Sequence, residues 1–210
     1  MTRGRFITFE GGEGAGKSTQ IRLLADALQR RGIPHLITRE PGGTAGAEAL
    51  RALLLDSNLN WDARAEALLF AAARADHVAN LIRPALADGK WVLCDRFLDS
   101  SRAYQGGAGG LGDEQVMTLH DIGSDGLLPD CTLLLELDPG TAAQRAAVRD
   151  AGASDRIGAK GADYHAMVRD RFRELADKEP RRFVRISGDG SEGDVHARVM
   201  HALEPLLALA

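Results

Sequence analysis

The residues most suited to chemistry lie near the N-terminus, in Gly11-Gly12-Glu13-Gly14-Ala15-Gly16-Lys17-Ser18. They fit G-x-x-x-x-G-K-[ST], a loop whose backbone N–H groups cradle nucleotide phosphates. Glycine removes the Cβ atoms that would obstruct that approach and permits positive φ. Lys17 would reach the outer phosphates, and the Ser18 hydroxyl would ligate Mg²⁺. Three further stretches carry groups of the same chemical kind. Arg39 opens Arg39-Glu40-Pro41-Gly42-Gly43-Thr44, where a cation could meet a phosphate or sit in a solvated turn. Phe70 and Arg74 stand four apart, hence on one helix face. They could stack on a base and hydrogen-bond its carbonyl, or be a core Phe beside a surface Arg. Asp95 and Arg96 follow an apolar run: a second group on the Mg²⁺ side and a phosphate clamp, or a surface ion pair. Ser100, Ser101, Tyr104 and Gln105 then offer polar atoms for a small-molecule pocket, or form an exposed loop.

These groups need elements to hold them. Residues 5–10, 34–38, 90–94, 131–137 and 183–186 read as strands, and helical patterns separate them. Helices are expected from Ser18 to Arg31, Ala45 to Leu55, and Asp62 to Ile82, the last limited by Pro84. Another runs from Asp113 to Ile122 with Val116, Leu119 and Ile122 inward. Asp138-Pro139 reads as N-cap and N1 of a helix to Arg149. Tyr164, Val168, Phe172 and Leu175 line one face of the next. Ser191 and Asp194 open the last as a capping box, and Pro205 should kink or end it. Mostly apolar strands alternating with helices predict a parallel sheet covered on both faces, in one domain spanning 1–210. Residues 150–162 hold three glycines and little bulky apolar content, as expected of a mobile lid.

Composition narrows the class. Of 210 residues, 44% are hydrophobic and 27% charged, which suits a soluble domain with a sizeable core. A net charge of −4 argues against a broad nucleic-acid-binding face. No run is long and apolar enough for a signal peptide or a membrane span, so a cytoplasmic location is expected. Cys94 and Cys131 lie in apolar runs without metal-type spacing and read as buried free thiols.

Taken together, the motifs resemble thymidylate kinase along nearly the whole chain. The carriers are the P-loop with Glu13, the stretch Thr38 to Thr44, Phe70 with Arg74, and Leu93-Cys94-Asp95-Arg96-Phe97-Leu98-Asp99-Ser100-Ser101-Arg102-Ala103-Tyr104-Gln105. The resemblance implies a P-loop NTPase-type three-layer α/β/α sandwich with a five-stranded parallel sheet, and transfer of the ATP γ-phosphoryl group to dTMP. It implies Mg²⁺, a homodimer, and ATP on Gly11, Gly12, Glu13, Gly14, Ala15, Gly16, Lys17, Ser18 and Thr19. The implied acceptor set is Glu10, Arg39, Pro41, Phe70, Arg74, Arg96, Ser100, Ser101, Tyr104 and Gln105. Arg39 and Arg96 would meet the dTMP phosphate, and Tyr104 would sit under the deoxyribose and disfavour a 2′-OH. Metal would fall to Ser18 and Asp95, and catalysis to Lys17, Arg96, Glu13 and the lid residues Arg149 and Arg156. Gly14 stands where one subtype carries a P-loop Arg, so the chain resembles the bacterial subtype with lid arginines. Gly158 stands where the family commonly has Glu.

Other readings differ in testable ways. Another P-loop nucleotide or metabolite kinase would share the P-loop and Asp95-Arg96 and differ in the acceptor pocket. A GTPase switch would carry [NT]-K-x-D, which is missing here; the D-x-x-G match at 155–158 does not follow a strand. A catalytically dead interaction domain is opposed by intact Lys17, Ser18, Asp95 and Arg96.

Overall fold

The protein is described by a computed structural model covering residues 4–138, 140–141 and 156–209. Five strands form one sheet: β1 (Phe6–Glu10), β2 (His35–Arg39), β3 (Trp91–Asp95), β4 (Cys131–Glu136) and β5 (Phe183–Ser187). Their order is β2-β3-β1-β4-β5, and every pairing is parallel. β1 is buried along its length, as expected of a central strand covered on both faces. Alternation along it feeds two cores. Ile7 and Phe9 pack with Leu24 and Leu28 of α1 (Lys17–Arg30) and Val199 of α8 (Glu192–Leu207). Phe6 packs on the other face with Val78, Ile82 and Val116. A third cluster joins Leu134 to Val168, Phe172 and Leu175 of α7 (Ala162–Lys178). The expected three-layer α/β/α sandwich with a five-stranded parallel sheet is therefore present.

Among the described residues the remaining α-helices are α2 (Ala45–Leu55), α3 (Ala63–His77), α4 (Arg83–Ala87), α5 (Leu98–Ser101) and α6 (Asp113–Ser124), and α5 runs on into a π-helical stretch at Arg102–Ala108. Asp62 caps α3 by accepting from the Arg64 N–H at 2.9 Å, and Ser191 with Asp194 forms the expected capping box. Pro84 does not stop the chain's helical path. A π-helical turn at Val78–Ile82 lets the Arg83 N–H reach the Val78 carbonyl, and Pro84 takes an N-terminal position of α4, where no N–H is needed. Pro205 likewise falls in the last turn of α8, which runs on to Leu207. The expected inward face of α6 is corrected: Val116, His120 and Ser124 are buried, whereas Ile122 is 78% exposed. His120 turns the helix because its Nε2 bonds the Leu127 carbonyl at 2.8 Å and its ring meets Phe97 edge-on. Leu68 of α3 is also exposed.

Cys94 and Cys131 are buried and free. Asp138 accepts from the Thr141 N–H at 3.0 Å, as its N-cap reading requires. Most of the helix expected after it, with Arg149 and most of the lid, lies outside the described residues.

Candidate active site

The C-terminal ends of β1, β2 and β3 carry the functional loops, the usual ligand edge of an open α/β sheet. Gly11 leaves β1 at φ 127°, and a Cβ there would lie 2.3 Å from the Leu135 carbonyl oxygen. Only glycine lets the P-loop pass so close to β4. The loop ends at Gly16, the N-cap of α1, so the first N–H groups of a fourteen-residue helix face the cleft. Lys17 is 8% exposed and donates to the carbonyls of Gly11 and Gly12 at 3.3 and 2.9 Å. Burial and the neighbouring Arg96 charge lower its ammonium to about 8.

Two cavities meet at this edge. The first, of about 400 Å³, is bounded by Gly14 to Gln20 and by Asp95. Its far wall is Gly188, Gly190 and Glu192, beyond β5. Sequence reasoning gave those residues no role, although a Gly-rich loop at a strand's C-terminal end was the available signal. The second, of about 260 Å³, collects Glu13, Arg39, Pro41, Phe70, Arg74, Arg96, Ser100, Ser101, Tyr104 and Gln105, all named from sequence. Lys17 and Asp95 line both cavities. Arg51, Leu55, Phe97 and Ile157 also line the second and were missed, because nothing local marks them.

Arg96 adopts φ 66°, a conformation that L residues rarely take outside sites that over-determine it. Its N–H donates to the Phe9 carbonyl at 3.0 Å, its Nη1 to Ser100 Oγ at 3.1 Å, and its guanidinium lies 5.2 Å from the Tyr104 ring centroid. Glu10 lies beneath this loop rather than in the cavity. It is fully buried and accepts from the N–H groups of Phe97 and Ser100 and from Ser100 Oγ at 2.8, 3.2 and 2.6 Å. Burial, aided by Asp99, raises its carboxyl to about 7 against the pull of Arg96 and these hydrogen bonds. Its expected contact with substrate thus becomes support for the loop that holds Arg96.

Arg74 is not a surface residue. It is 3% exposed, and Nε donates to Glu40 Oε2 at 2.8 Å. Nη2 donates to Ser101 Oγ and the Phe97 carbonyl at 2.8 and 3.3 Å. The other Glu40 oxygen meets His77 Nδ1 at 3.0 Å, and His77 Nε2 meets Thr38 Oγ1 at 2.7 Å. Gly43 covers that pair: a Cβ there would sit 2.5 Å from Thr38 Oγ1 and 2.6 Å from His77 Nε2. Arg39 lines the cavity but is exposed, and it pairs with Glu48 at 3.0 Å.

Arg156 is tied to the acceptor side. Its Nε donates to the Leu54 carbonyl at 3.0 Å, and Nη2 lies 2.7 Å from Glu66 Oε2. Behind the loop, Asp99 is fully buried and gripped by Arg182, with Nη1–Oδ2 at 2.6 Å and Nη2–Oδ1 at 2.7 Å. Arg102 Nη1 and Thr132 Oγ1 also donate to it, at 3.3 and 3.2 Å.

Among the described residues no three His, Cys, Asp or Glu side chains form a metal cage. Ser18 and Asp95 are oxygen donors in the first cavity, the sparse kind of set that suits Mg²⁺ held largely by waters and nucleotide phosphates. The arrangement as a whole can hold two phosphorylated ligands end to end, with Lys17 and Asp95 between them.

Comparison with known proteins identifies the family. The thymidylate kinase family model matches residues 9–199. A thymidylate kinase from Rhizorhabdus wittichii is 58% identical over 205 residues, covering 97% of this chain and 99% of that one. One from Rhodopseudomonas palustris is 50% identical over 204 residues, covering 96% and 89%. The crystal structure of thymidylate kinase from Ehrlichia chaffeensis superposes with a TM-score of 0.78 at 32% identity, covering 96% of this chain and 100% of that one. With the family matched across the P-loop, both cavities and the last strand, this chain belongs to the thymidylate kinase family.

Proposed function

We infer that the chain transfers the γ-phosphoryl group of ATP to dTMP, giving dTDP and ADP in dTTP synthesis for DNA replication. Family membership supports the reaction, and one observation carries the assignment of roles: Lys17 and Asp95 are shared by the two cavities. ATP then occupies the P-loop cavity, on Gly11 to Thr19, and dTMP the other. Phosphoryl transfer is mainly positioning and charge neutralisation. The dTMP phosphate is itself the nucleophile, so no general base is assigned. Lys17 and Arg96 neutralise charge on the transferring group. Arg39 and Arg96 hold the dTMP phosphate, Phe70 stacks on the base, Arg74 donates to its carbonyl, and Tyr104 lies under the sugar. Glu13 lines the acceptor side. Ser18 and Asp95 would hold Mg²⁺, which would offset phosphate charge.

The lid arginines belong to the same proposal. Arg149 and Arg156 act on the transferring group, and for Arg156 this requires release from Glu66. A homodimer is proposed through the helices; Leu53, Leu68 and Ile122, large exposed apolar residues of α2, α3 and α6, support it. Sedimentation equilibrium tests that state. A cytoplasmic location is consistent with the free thiols, and no described helix is long and apolar enough to cross a membrane.

The test of function is ADP release with ATP and each of dTMP, dUMP, UMP, dCMP, AMP and GMP. dTMP is expected to give the highest kcat/KM. AMP or GMP as the best acceptor would overturn the pocket assignment.

A further inference from the structure

Glu66, in the first turn of α3, is 5% exposed, and three side chains converge on its carboxylate. Oε1 accepts from Gln105 Nε2 at 2.9 Å. Oε2 lies 2.7 Å from Arg156 Nη2, and Lys160 Nζ lies 3.8 Å from Oε1. Gln105 is 4% exposed and lines the acceptor cavity.

A primary amide has two faces of nearly equal shape and opposite polarity. Turning it over costs little sterically, yet it exchanges a donor for an acceptor. An ionised carboxylate only accepts, so it binds the NH₂ end. Gln105 Oε1 makes no hydrogen bond to any described residue and is the atom left for a ligand. Arg74 offers the opposite polarity. Its Nε and Nη2 are occupied by Glu40, Ser101 and the Phe97 carbonyl, which leaves Nη1. A guanidinium has donors only. The cavity therefore presents one oriented donor and one oriented acceptor. A pyrimidine edge with a carbonyl beside a ring N–H complements that pair. An edge with an amino group beside an unprotonated ring nitrogen opposes it.

We propose that Glu66 is a positioning residue for base selection, acting by fixing which end of the Gln105 amide faces the acceptor base. The proposal rests on the reading of this cavity as the dTMP site. Glu66→Gln tests it with little change of shape. The new side chain has one oxygen where Glu66 has two, and Arg156 competes for it. Its NH₂ then faces Gln105, which turns over and presents a donor to the base.

The readout is the ratio of kcat/KM for dTMP to that for dCMP, with ATP saturating. A merely structural role lowers the active fraction equally for both acceptors and leaves the ratio unchanged. Glu66→Gln is expected to lower the ratio roughly tenfold or more, since a reversed polar group faces the wrong edge. In a Gln105→Ala background the same substitution should change the ratio no further, because the effect runs through Gln105. Glu66→Asp, which retains the charge but shortens the reach, replaces Glu66→Gln if the latter does not fold, with the same expected direction. An unchanged ratio in the Glu66 variant, or a further change in the Gln105→Ala background, overturns the proposal. The wild-type and Arg74→Ala ratios separate its failure from that of the dTMP reading. If wild type prefers dTMP and Arg74→Ala loses that preference while the Glu66 variant keeps it, only the role of Glu66 falls. If wild type shows no preference for dTMP, the acceptor assignment falls with it.

Discussion

Glu40→Ala should be among the most damaging single substitutions outside the P-loop, although Glu40 only borders the acceptor cavity. Its side chain is 4% exposed, and its partners Arg74 and His77 are 3% and 0% exposed. Truncation leaves the Arg74 guanidinium buried with its Nε unpaired, and removes the acceptor for His77 Nδ1. Breaking a buried ion pair by deleting one partner costs about 3–5 kcal/mol. At about 2–4 °C per kcal/mol for a domain of this size, the melting temperature should fall by roughly 6–20 °C. Calorimetry alone would not separate lost pairing from a cavity, so the second arm is Glu40→Ala with Arg74→Met. Removing both charges takes away the uncompensated one, and the double variant should be more stable than Glu40→Ala alone by about 2 kcal/mol or more. Denaturant unfolding measures both. If Glu40→Ala costs under about 1 kcal/mol, or the double variant is simply the sum of the singles, the ion pair does not carry the stability argued for it.

Lys17→Ala should abolish phosphoryl transfer in a folded protein; near-wild-type turnover would refute the P-loop assignment. With its ammonium lowered to about 8, Lys17 should take up a proton when ATP binds near pH 9, detectable by titration calorimetry in buffers of different ionisation enthalpy. Glu10 rises from 4.5 to about 7 in the fold, so the folded state keeps a proton that the unfolded chain releases between those values. Its stabilising contribution is full below pH 4.5 and is lost as pH rises through 7, by roughly 3 kcal/mol. Glu10→Gln should lack that slope, and identical pH profiles for the two proteins would contradict it. Arg149→Ala or Arg156→Ala should lower turnover at saturating substrates at least about a hundredfold, with dTMP binding retained; losses of a few-fold in both would make the lid only a cover. Tyr104→Ala should narrow the preference for dTMP over UMP, and an unchanged preference would remove Tyr104 from sugar selection.

The parts of the site that sequence revealed are those whose chemistry is local. The P-loop is contiguous because one turn must wrap one set of phosphates. Asp95 to Gln105 is contiguous because one strand end and one short helical segment form the cavity wall. The five strands and their parallel arrangement followed from apolar runs alternating with helical periodicity. What stayed hidden depends on distant partners. Glu40 and His77 stand 37 residues apart, and Glu66 and Gln105 stand 39 apart. Neither pair leaves a local pattern, since a buried carboxylate reads in sequence like a surface one. Phe70 and Arg74 could not be told from a core Phe beside a solvated Arg until Glu40 and Ser101 were found around the guanidinium. The α6 error has the same origin. His120 reads as polar, yet its bond to the Leu127 carbonyl makes it an interior residue and turns Ile122 outward.

The grip of Arg182 on Asp99 has a consequence for how the chain is made. Synthesis proceeds from the N-terminus, and 83 residues separate the two partners. An emerging chain can pair β1, β2 and β3 once β3 is complete, but β1 keeps one edge open until β4 arrives. Asp99 then still lacks its bidentate partner, which comes only at the approach to β5. Until that point the segment holding Arg96, Ser100 and Tyr104 rests on a buried carboxylate held only by the longer contacts from Arg102 and Thr132, at 3.3 and 3.2 Å, and lacks the bidentate pair that fixes its final form. Nascent fragments ending before Arg182 should therefore be silent rather than partly active. Competence to bind substrate therefore waits on a partner far downstream of the segment that holds the substrate.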